Sequence, residues 1–526
     1  MKFFLILIIN MIIFTISLVP QNTGNKINLK LQDSITYALK NNIDLKIQVL
    51  DYKISYKNVA ANKALFIPTL SLNMKKTKTK NPSSSLLDGA DISEVQSMSF
   101  DIGLRQNLPF GGSANLYFNE SRNETNNSFA NLNPQFNALM QLSVTQPLLK
   151  GFGSKVVRKD ILISIQANKS SFFRLKEKVL ETVYNVENAY WDLVYFKLYY
   201  EVKKESLKAA KDLESINFKK LKAGTIPELE ILTAKSEVAN KQSEIIQAIS
   251  SIKEAEENLR TIMNLQDDQE KWKKKIIPVD DPESAYSYMI PSIDKAISIA
   301  RENDPLFKRL EHELKGKGIE VKYRKNMILP ELNFNFNYWT TGISGDEIVY
   351  DGSGFERKPV DIIQRNMWVS IKDTLKAIYN NWNISLNLRI PLTFKESKAN
   401  LAKAEMEFKK VELNIKNAEQ LALKKIRQSL RDVQTNKKKL EAYKISKKFA
   451  KAQLNAEEKK FKAGISTNYN VLKAQENLEE NRSSEIKAII DLNISILNLQ
   501  RNLGVLLKEK GIHFKPELYY KVKNSN

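Results

Sequence analysis

Cysteine is missing from all 526 residues, and histidine occurs only twice. The first absence removes disulfides, thiol nucleophiles, thiolate metal sites and the lipidated N-terminal cysteine of a bacterial lipoprotein. His312 and His513 stand apart on polar stretches, so neither a His-based triad nor a multi-histidine metal centre is expected. Long apolar runs are scarce too. After Val19 no stretch of about 18 apolar residues occurs, which excludes a bundle of membrane-spanning helices. Glycine and proline are thin, at 17 and 15, and long segments contain neither, so they are free to run as unbroken helices.

What is present starts with the one apolar run. Phe3 to Val19 follows Lys2, and residues 1–20 read as a secretory signal peptide. An uncleaved anchor is the alternative, because the run approaches a spanning length. With 42% hydrophobic and 27% charged residues the rest is not a disordered chain. A net charge of +22 raises nucleic acid or an anionic surface as partner. Yet lysines such as Lys203, Lys204, Lys208 and Lys211 are interleaved with acids, and no aromatic-basic platform accompanies them. They read as a solvated helix surface, and no nucleic-acid partner is expected.

From Lys155 to Leu265 the apolar positions fall three and four apart. Leu175, Val179, Val183, Val186, Tyr190 and Leu193 form one run, and Ile245, Ile249, Ile252, Leu259 and Ile262 another. Between them Gly224 and Pro227 end one helix and start the next. The first arm would be roughly 100 Å long at the helical rise. No compact domain contains such a rod. A second hairpin runs from Lys395 to Leu507, with Leu401, Ala404, Phe408, Val411, Ile415, Ala418 and Ala422 spaced for coiled-coil packing.

The recurrence is a duplication. Ile35 to Asn42 is echoed by Ile297 to Asp304, and Phe66-Ile67-Pro68-Thr69-Leu70 by Ile328-Leu329-Pro330-Glu331-Leu332 at the same offset. Gln146-Pro147-Leu148 then matches Ile390-Pro391-Leu392, and Ala223-Gly224 matches Ala463-Gly464. Each half reads helix, strands, long helix, turn, returning helix. The units are 21–265 and 292–507, with a linker at 266–291 and a tail at 508–526.

Between Pro68 and Leu149, and again between Pro330 and Leu392, the period becomes two. Leu70, Leu72 and Met74 alternate with Thr69, Ser71 and Asn73; Leu332, Phe334, Phe336 and Tyr338 with Asn333, Asn335 and Asn337. Met140, Leu142 and Val144, and Ile384, Leu386, Leu388 and Ile390, repeat the pattern. A further hairpin is expected where Met98, Phe100, Ile102 and Leu104 meet Leu116 and Phe118 through Pro109-Phe110-Gly111-Gly112. The segments Asn81–Val95 and Thr341–Arg365 read as long polar loops. A soluble sheet with one wet face is one reading. A membrane barrel, apolar outside and Asn-, Ser-, Thr- and Gln-lined inside, is the other. Four strands, or six with the hairpin, do not close a membrane barrel of at least about eight, and an open edge is not tolerated in lipid. Three copies of the chain would give a 12-stranded barrel, or an 18-stranded one.

These features together resemble the TolC family of outer-membrane efflux and secretion ducts. The residues that carry the resemblance are Leu31-Gln32-Asp33-Ser34-Ile35, Ala38 to Asn42, Pro68 to Leu72, Gln146 to Gly153, and the tips Ala223-Gly224 and Ala463-Gly464 with Glu230-Ile231-Leu232 and Asn470-Val471-Leu472. The resemblance implies a mainly α chain with a membrane β-barrel, forming a homotrimer in the outer membrane with a periplasmic α-helical barrel. Asn264 to Pro291 and the tail from Lys508 would belt that cylinder. It implies a periplasmic adaptor (membrane fusion protein) and an inner-membrane pump of RND, ABC or MFS type as partners, with no cofactor. Ala223, Gly224, Thr225, Ala463, Gly464 and Ile465 would be the adaptor-docking tips. Leu229, Glu230, Phe461, Ser466, Asn470 and Lys473 would be the candidate periplasmic gate.

The chain departs from the family where Asn470 replaces an acid matched by Glu230, where Thr233 and Lys473 replace a further acid, and where Phe461 replaces a tyrosine. Catalysis finds no support: Asp280-Asp281 beside Pro282 reads as a turn, and Gly151-Phe152-Gly153 lacks the third glycine of a dinucleotide loop. The competing class is a secreted or anchored coiled-coil interaction protein without a pore.

Overall fold

The computed structural model describes residues 26–83, 90–267, 272–283, 288–352 and 358–512. The expected leader at 1–20 and His513 lie outside the described residues. The first half contains β1 (Lys26–Leu29), α1 (Leu31–Asn41), α2 (Ile43–Lys63), β2 (Thr69–Pro82), β3 (Ile92–Asn107), β4 (Ser113–Thr125) and β5 (Leu132–Pro147). A single turn, α3 (Ser154–Val157), leads into α4 (Lys159–Lys222) and α5 (Glu228–Met263). After β6 (Lys275–Pro278) the second half repeats the order: α6 (Ile293–Asn303), α7 (Pro305–Asn326), β7 (Glu331–Asp351), β8 (Lys358–Ile363), α8 (Met367–Leu375) and β9 (Tyr379–Arg389). It closes with α9 (Lys395–Lys462), α10 (Asn468–Asn502) and the short α11 (Leu506–Glu509).

The duplication is visible in the helix lengths. α4 has 64 residues and α9 has 68, while α5 has 36 and α10 has 35. Neither α4 nor α9 contains glycine or proline, so nothing interrupts a rod of about 100 Å. The stripe Leu175, Val179, Val183, Val186, Tyr190 and Leu193 is fully buried on α4. Each such side chain contributes about 1.5–3 kcal/mol on burial, enough to fix which face of the rod turns inward. The caps repeat as well: Asn42 accepts from the Leu45 amide and Asp304 from the Leu306 amide, 2.9 Å in both cases. Among the described residues no helix is long and apolar enough to cross a membrane.

The strands form a seven-stranded antiparallel sheet in the order β2-β3-β4-β5-β7, after which β8 and β9 share the far edge of β7. β9 pairs with Glu331–Thr341 and β8 with Glu347–Asp351, so the sheet is six strands wide. The hairpin through Gly111 is β3–β4, and four strands per chain is therefore too few. Thr341–Arg365 is not a loop. β7 runs through it to Asp351 and β8 follows, because the alternation continues beneath small residues at Gly342, Ser344 and Gly345. Strand pairing likewise extends to Pro82 and Ile92, leaving only the tip of the expected Asn81–Val95 loop, whose residues 84–89 lie outside the described residues.

Register confirms the two-faced pattern. Leu70, Leu104, Leu116, Leu142, Tyr338 and Trp382 are successive cross-strand partners, a single apolar row spanning all six strands. The neighbouring row on the other face runs Ser71, Gly103, Tyr117, Gln141, Trp339 and Asn381. That face is mainly polar, with Trp339 as an exception the alternation did not mark.

A small belt lies across the helices. β1 and β6 pair in parallel, Lys26 to Lys275 through Leu29 to Pro278. They are pinned to α4 by the fully buried Tyr190. Its hydroxyl donates to Asp280 Oδ2 at 2.5 Å, lies 3.0 Å from the Leu29 carbonyl, and accepts from the Val279 and Asp280 amides. Asp280 also receives the Leu31 amide at 2.7 Å, so this carboxylate is a structural bridge. Lys510, after α11, reaches Glu187 on α4 at 2.6 Å. Tyr190→Phe keeps the ring but strips the hub, and is expected to lower stability by about 1–3 kcal/mol, the penalty for buried polar groups left unpaired. Urea unfolding with an unchanged slope and a lower midpoint checks this.

Candidate functional site

The two hairpin turns end in the same backbone device. Gly224 and Gly464 have φ of +67° and +79°, the left-handed region that glycine adopts without penalty. The Thr225 amide returns to the Lys220 carbonyl and the Ile465 amide to the Lys460 carbonyl, both at 3.0 Å, closing each long helix with a Schellman turn. Ala223, Gly224, Thr225, Ala463, Gly464 and Ile465 are all solvent-exposed at the turns.

Beyond the turns the two tips differ. Glu228 and Glu230 occupy the first turn of α5, where the helix dipole favours negative charge, whereas the first turn of α10 has no acid and is capped by Thr467. Leu229, Asn470 and Lys473 are exposed, and Glu230 is half-buried. Ser466 donates to Glu457 Oε2 at 2.7 Å, and hydrogen bonds from Lys460 and Ser466 hold the Glu457 carboxyl below the usual carboxylate range. Phe461 is not on the surface. Its ring is buried with Leu213 of α4 and Val471 and Leu472 of α10, joining the two hairpins. The Lys220 ammonium sits 3.7 Å from the ring centroid and donates to the Phe461 carbonyl at 3.1 Å.

Two further ties were not expected. Asn217 Nδ2 donates to Asn468 Oδ1 at 2.9 Å, both side chains being buried between α4 and α10. Higher up, Glu479 of α10 bridges Lys203 of α4 and Lys241 of α5, the latter at 2.8 Å. Glu244 completes the group at 2.8 Å from Lys203. Burial alone would push the Glu479 carboxyl up, but the two lysines outweigh it and hold it below the ordinary range. Lys203 is thus not part of the solvated face assigned to it. It points between the hairpins, while Lys204, Lys208 and Lys211 remain exposed. A signal existed: Val202, Lys203, Ala210, Leu213 and Asn217 share one buried face of α4, and a polar residue on an apolar stripe asks for a partner.

His312 lies 2.9 Å from Gln166 and stacks on Phe173 at 5.7 Å between ring centroids. Among the described residues no group of three or more His, Cys, Asp or Glu side chains could hold a metal ion. What the geometry offers is a long helical wall ending in two glycine turns, joined to a sheet with one apolar and one polar face.

The sequence profile of the family described as outer membrane efflux protein matches residues 113–265 and 296–505, more than half of the chain. The chain belongs to that family. No curated protein matches it in sequence. Among solved structures it is similar to the CmeC outer membrane channel of Campylobacter jejuni, at TM-score 0.66 and 16% identity over 93% of this chain and 88% of that one. The open-state MtrE outer membrane channel of Neisseria gonorrhoeae aligns at TM-score 0.62 and 17% identity, covering 90% and 89%. A membrane protein from Pseudomonas aeruginosa aligns at 0.66 and 15%, covering 91% and 94%.

This efflux family member is thus an outer-membrane protein with a large periplasmic helical part. The sheet leads directly into the long helices of each half. The tips of α4–α5 and α9–α10 are the ends farthest along the helices from that sheet.

Proposed function

We propose that three copies of the chain close one outer-membrane barrel and one periplasmic helical cylinder, the exit duct of a tripartite efflux pump or a type I secretion system. The observation that carries this is the pair of unpaired sheet edges. β2 leaves the helices with 14 residues and β9 returns towards them with 11, so β9 of one copy can pair antiparallel with β2 of the next. Such edges are not tolerated in hydrocarbon. With six strands abreast in each chain, three copies make 18 strands rather than 12, a size that encloses an aqueous channel. The stripe Ile43, Ile47, Leu50 and Ile54 on α2, each more than half exposed in the single chain, supports a neighbouring copy against the helices as well.

The duct is passive, and substrate choice rests with an inner-membrane pump of RND, ABC or MFS type. A periplasmic adaptor docks at Ala223–Thr225 and Ala463–Ile465. Between α5 and α10 a groove of about 540 Å³, lined by Leu232, Thr233, Tyr469, Leu472 and Lys473, has room for its helices. Leu229, Glu230, Ser466, Asn470 and Lys473 face the closing end, with Phe461 as the buried pivot. Only one acid per chain, Glu230, stands at the ring position.

Fractionation into the outer membrane as a heat-modifiable trimer is the expected result, and a soluble monomer overturns the duct. In planar bilayers Glu230→Gln is expected to reduce cation selectivity without changing trimer formation. Unchanged selectivity and closure remove Glu230 from the gate.

A further inference from the structure

The helix α8 is built the wrong way round for water. Ser370 and Thr374 are fully buried against the sheet, while Trp368 is 66% exposed and Leu375 62%. Met367, Val369 and Ile378 extend the same outward apolar surface. A helix covering a soluble sheet would place tryptophan and leucine downward and the hydroxyls upward.

The seat of α8 is specific. Thr340, Gly342 and Ser344 continue the β7 face that carries Phe334, Phe336 and Tyr338. Thr340 donates to the Thr374 carbonyl at 2.8 Å, Ser344 to the Asn366 carbonyl at 2.9 Å, and Thr374 to the Ala138 carbonyl of β5 at 3.3 Å. A Cβ on Gly342 would lie 2.0 Å from the Ser370 carbonyl oxygen, so the helix rests directly on strand backbone. Beneath it lies Glu120 of β4, only 8% exposed, with Oε1 3.4 Å from Ser370 Oγ and Oε2 unpartnered. Glu120 is in register with Phe100 and Ala138 on the apolar face. Without α8 a carboxylate would open onto that face.

We propose that α8 is a lipid-facing patch of the barrel wall, its hydroxyl face sealed on the sheet and its apolar face in the acyl chains near the outer headgroup boundary. This rests on the barrel reading above. Two observations select lipid as the occupant. Trp382, Ile384 and Leu386 of β9 are exposed on the same face of the sheet that α8 covers, Trp382 being the cross-strand partner of Tyr338. On the same face the strands end in charge, with Lys78 and Lys80 paired to Glu94, which marks the headgroup level where tryptophan collects. Lys372 projects from the outward face of α8 between Trp368 and Leu375, with Lys376 beside it, and both exposed side chains can run their apolar stems along it and reach anionic headgroups.

The absence of cysteine makes the test clean. Trp368→Cys and Leu375→Cys, each carrying a nitroxide, are reconstituted in phosphatidylethanolamine–phosphatidylglycerol vesicles. Leu386→Cys serves as the lipid-facing sheet position and Asn337→Cys as the opposite face. Collision with oxygen and with a water-soluble nickel chelate is read at each. The expected result is an oxygen-to-nickel ratio at 368 and 375 several-fold above that at 337 and equal to that at 386. Nickel access at 368 and 375 with 386 still in lipid overturns the inference and leaves the barrel standing. Shielding from both probes also overturns it, in favour of a protein cover. Nickel access at 386 removes the barrel reading itself.

Discussion

Phe461→Ala is expected to loosen the tip of every chain by roughly 3–5 kcal/mol, the range for deleting a buried aromatic ring. The ring is the largest member of the small cluster that joins α4 to α10, packed with Leu213, Val471 and Leu472. Its removal also strips the Lys220 ammonium of the face it sits over. The nearby Asn217–Asn468 hydrogen bond cannot substitute, because it lies in the same interface and loses the packing that excludes water from it. The expected readout is local. Amide exchange at Val471 and Asn217 accelerates by about two to three orders of magnitude, closed-state lifetimes of the reconstituted channel shorten, and the barrel's heat-modifiable migration is unchanged. Phe461→Tyr keeps the ring and should stay close to wild type in exchange. Unaltered exchange in the alanine variant would show that the ring does not couple the hairpins.

The same tip shows what was legible in the sequence. Periodicity located both rods, because a stripe such as Leu175 to Leu193 is buried without exception and nothing in it conflicts with helix. It located the turns too, since glycine at φ +67° and +79° performs a role few other residues can. It failed where polarity was inverted or paired. The helix α8 was not among the expected elements: Ser370 and Thr374 turn inward onto the sheet while Trp368 and Leu375 turn outward, the reverse of the usual pattern. Gly342 and Ser344 read as loop for the related reason that a helix, not a side chain, fills the space above them. Lys203 could be told from its solvated neighbours by the apolar face it shares with Val202 and Leu213, but its partner Glu479 is far away in the chain and was not legible. Asymmetry at the tips was legible as composition, Glu230 against Asn470, but the burial of Phe461 was not. A missing hydroxyl says nothing about which hairpin the ring enters.

Glu479→Ala carries the other large expected effect. One carboxylate, 6% exposed, ties three helices: one oxygen meets Lys203 on α4 and the other Lys241 on α5. Removing it leaves two buried ammonium groups that depend on the more exposed Glu244 and Glu237. Breaking a buried pair from one side costs about 3–5 kcal/mol, and the surviving acids place this case near the lower end. Replacing the set together, as Lys203→Met, Lys241→Met and Glu479→Leu, should recover most of that loss, because no charge is then stranded. The pH dependence has a definite sign. The folded-state carboxyl is depressed, so its contribution is present above the ordinary glutamate value and is lost as pH falls through the lower folded one. Lys203 and Lys241 are raised against the pull of burial by their acidic partners, so their contribution persists below the ordinary lysine value and is lost only as pH climbs past it. The stability gap between wild type and Glu479→Gln should therefore be flat from about pH 6 to 9 and close below about pH 4. A gap that closes near neutrality would mean that the carboxyl is protonated in the folded protein and that burial, rather than the lysines, governs it.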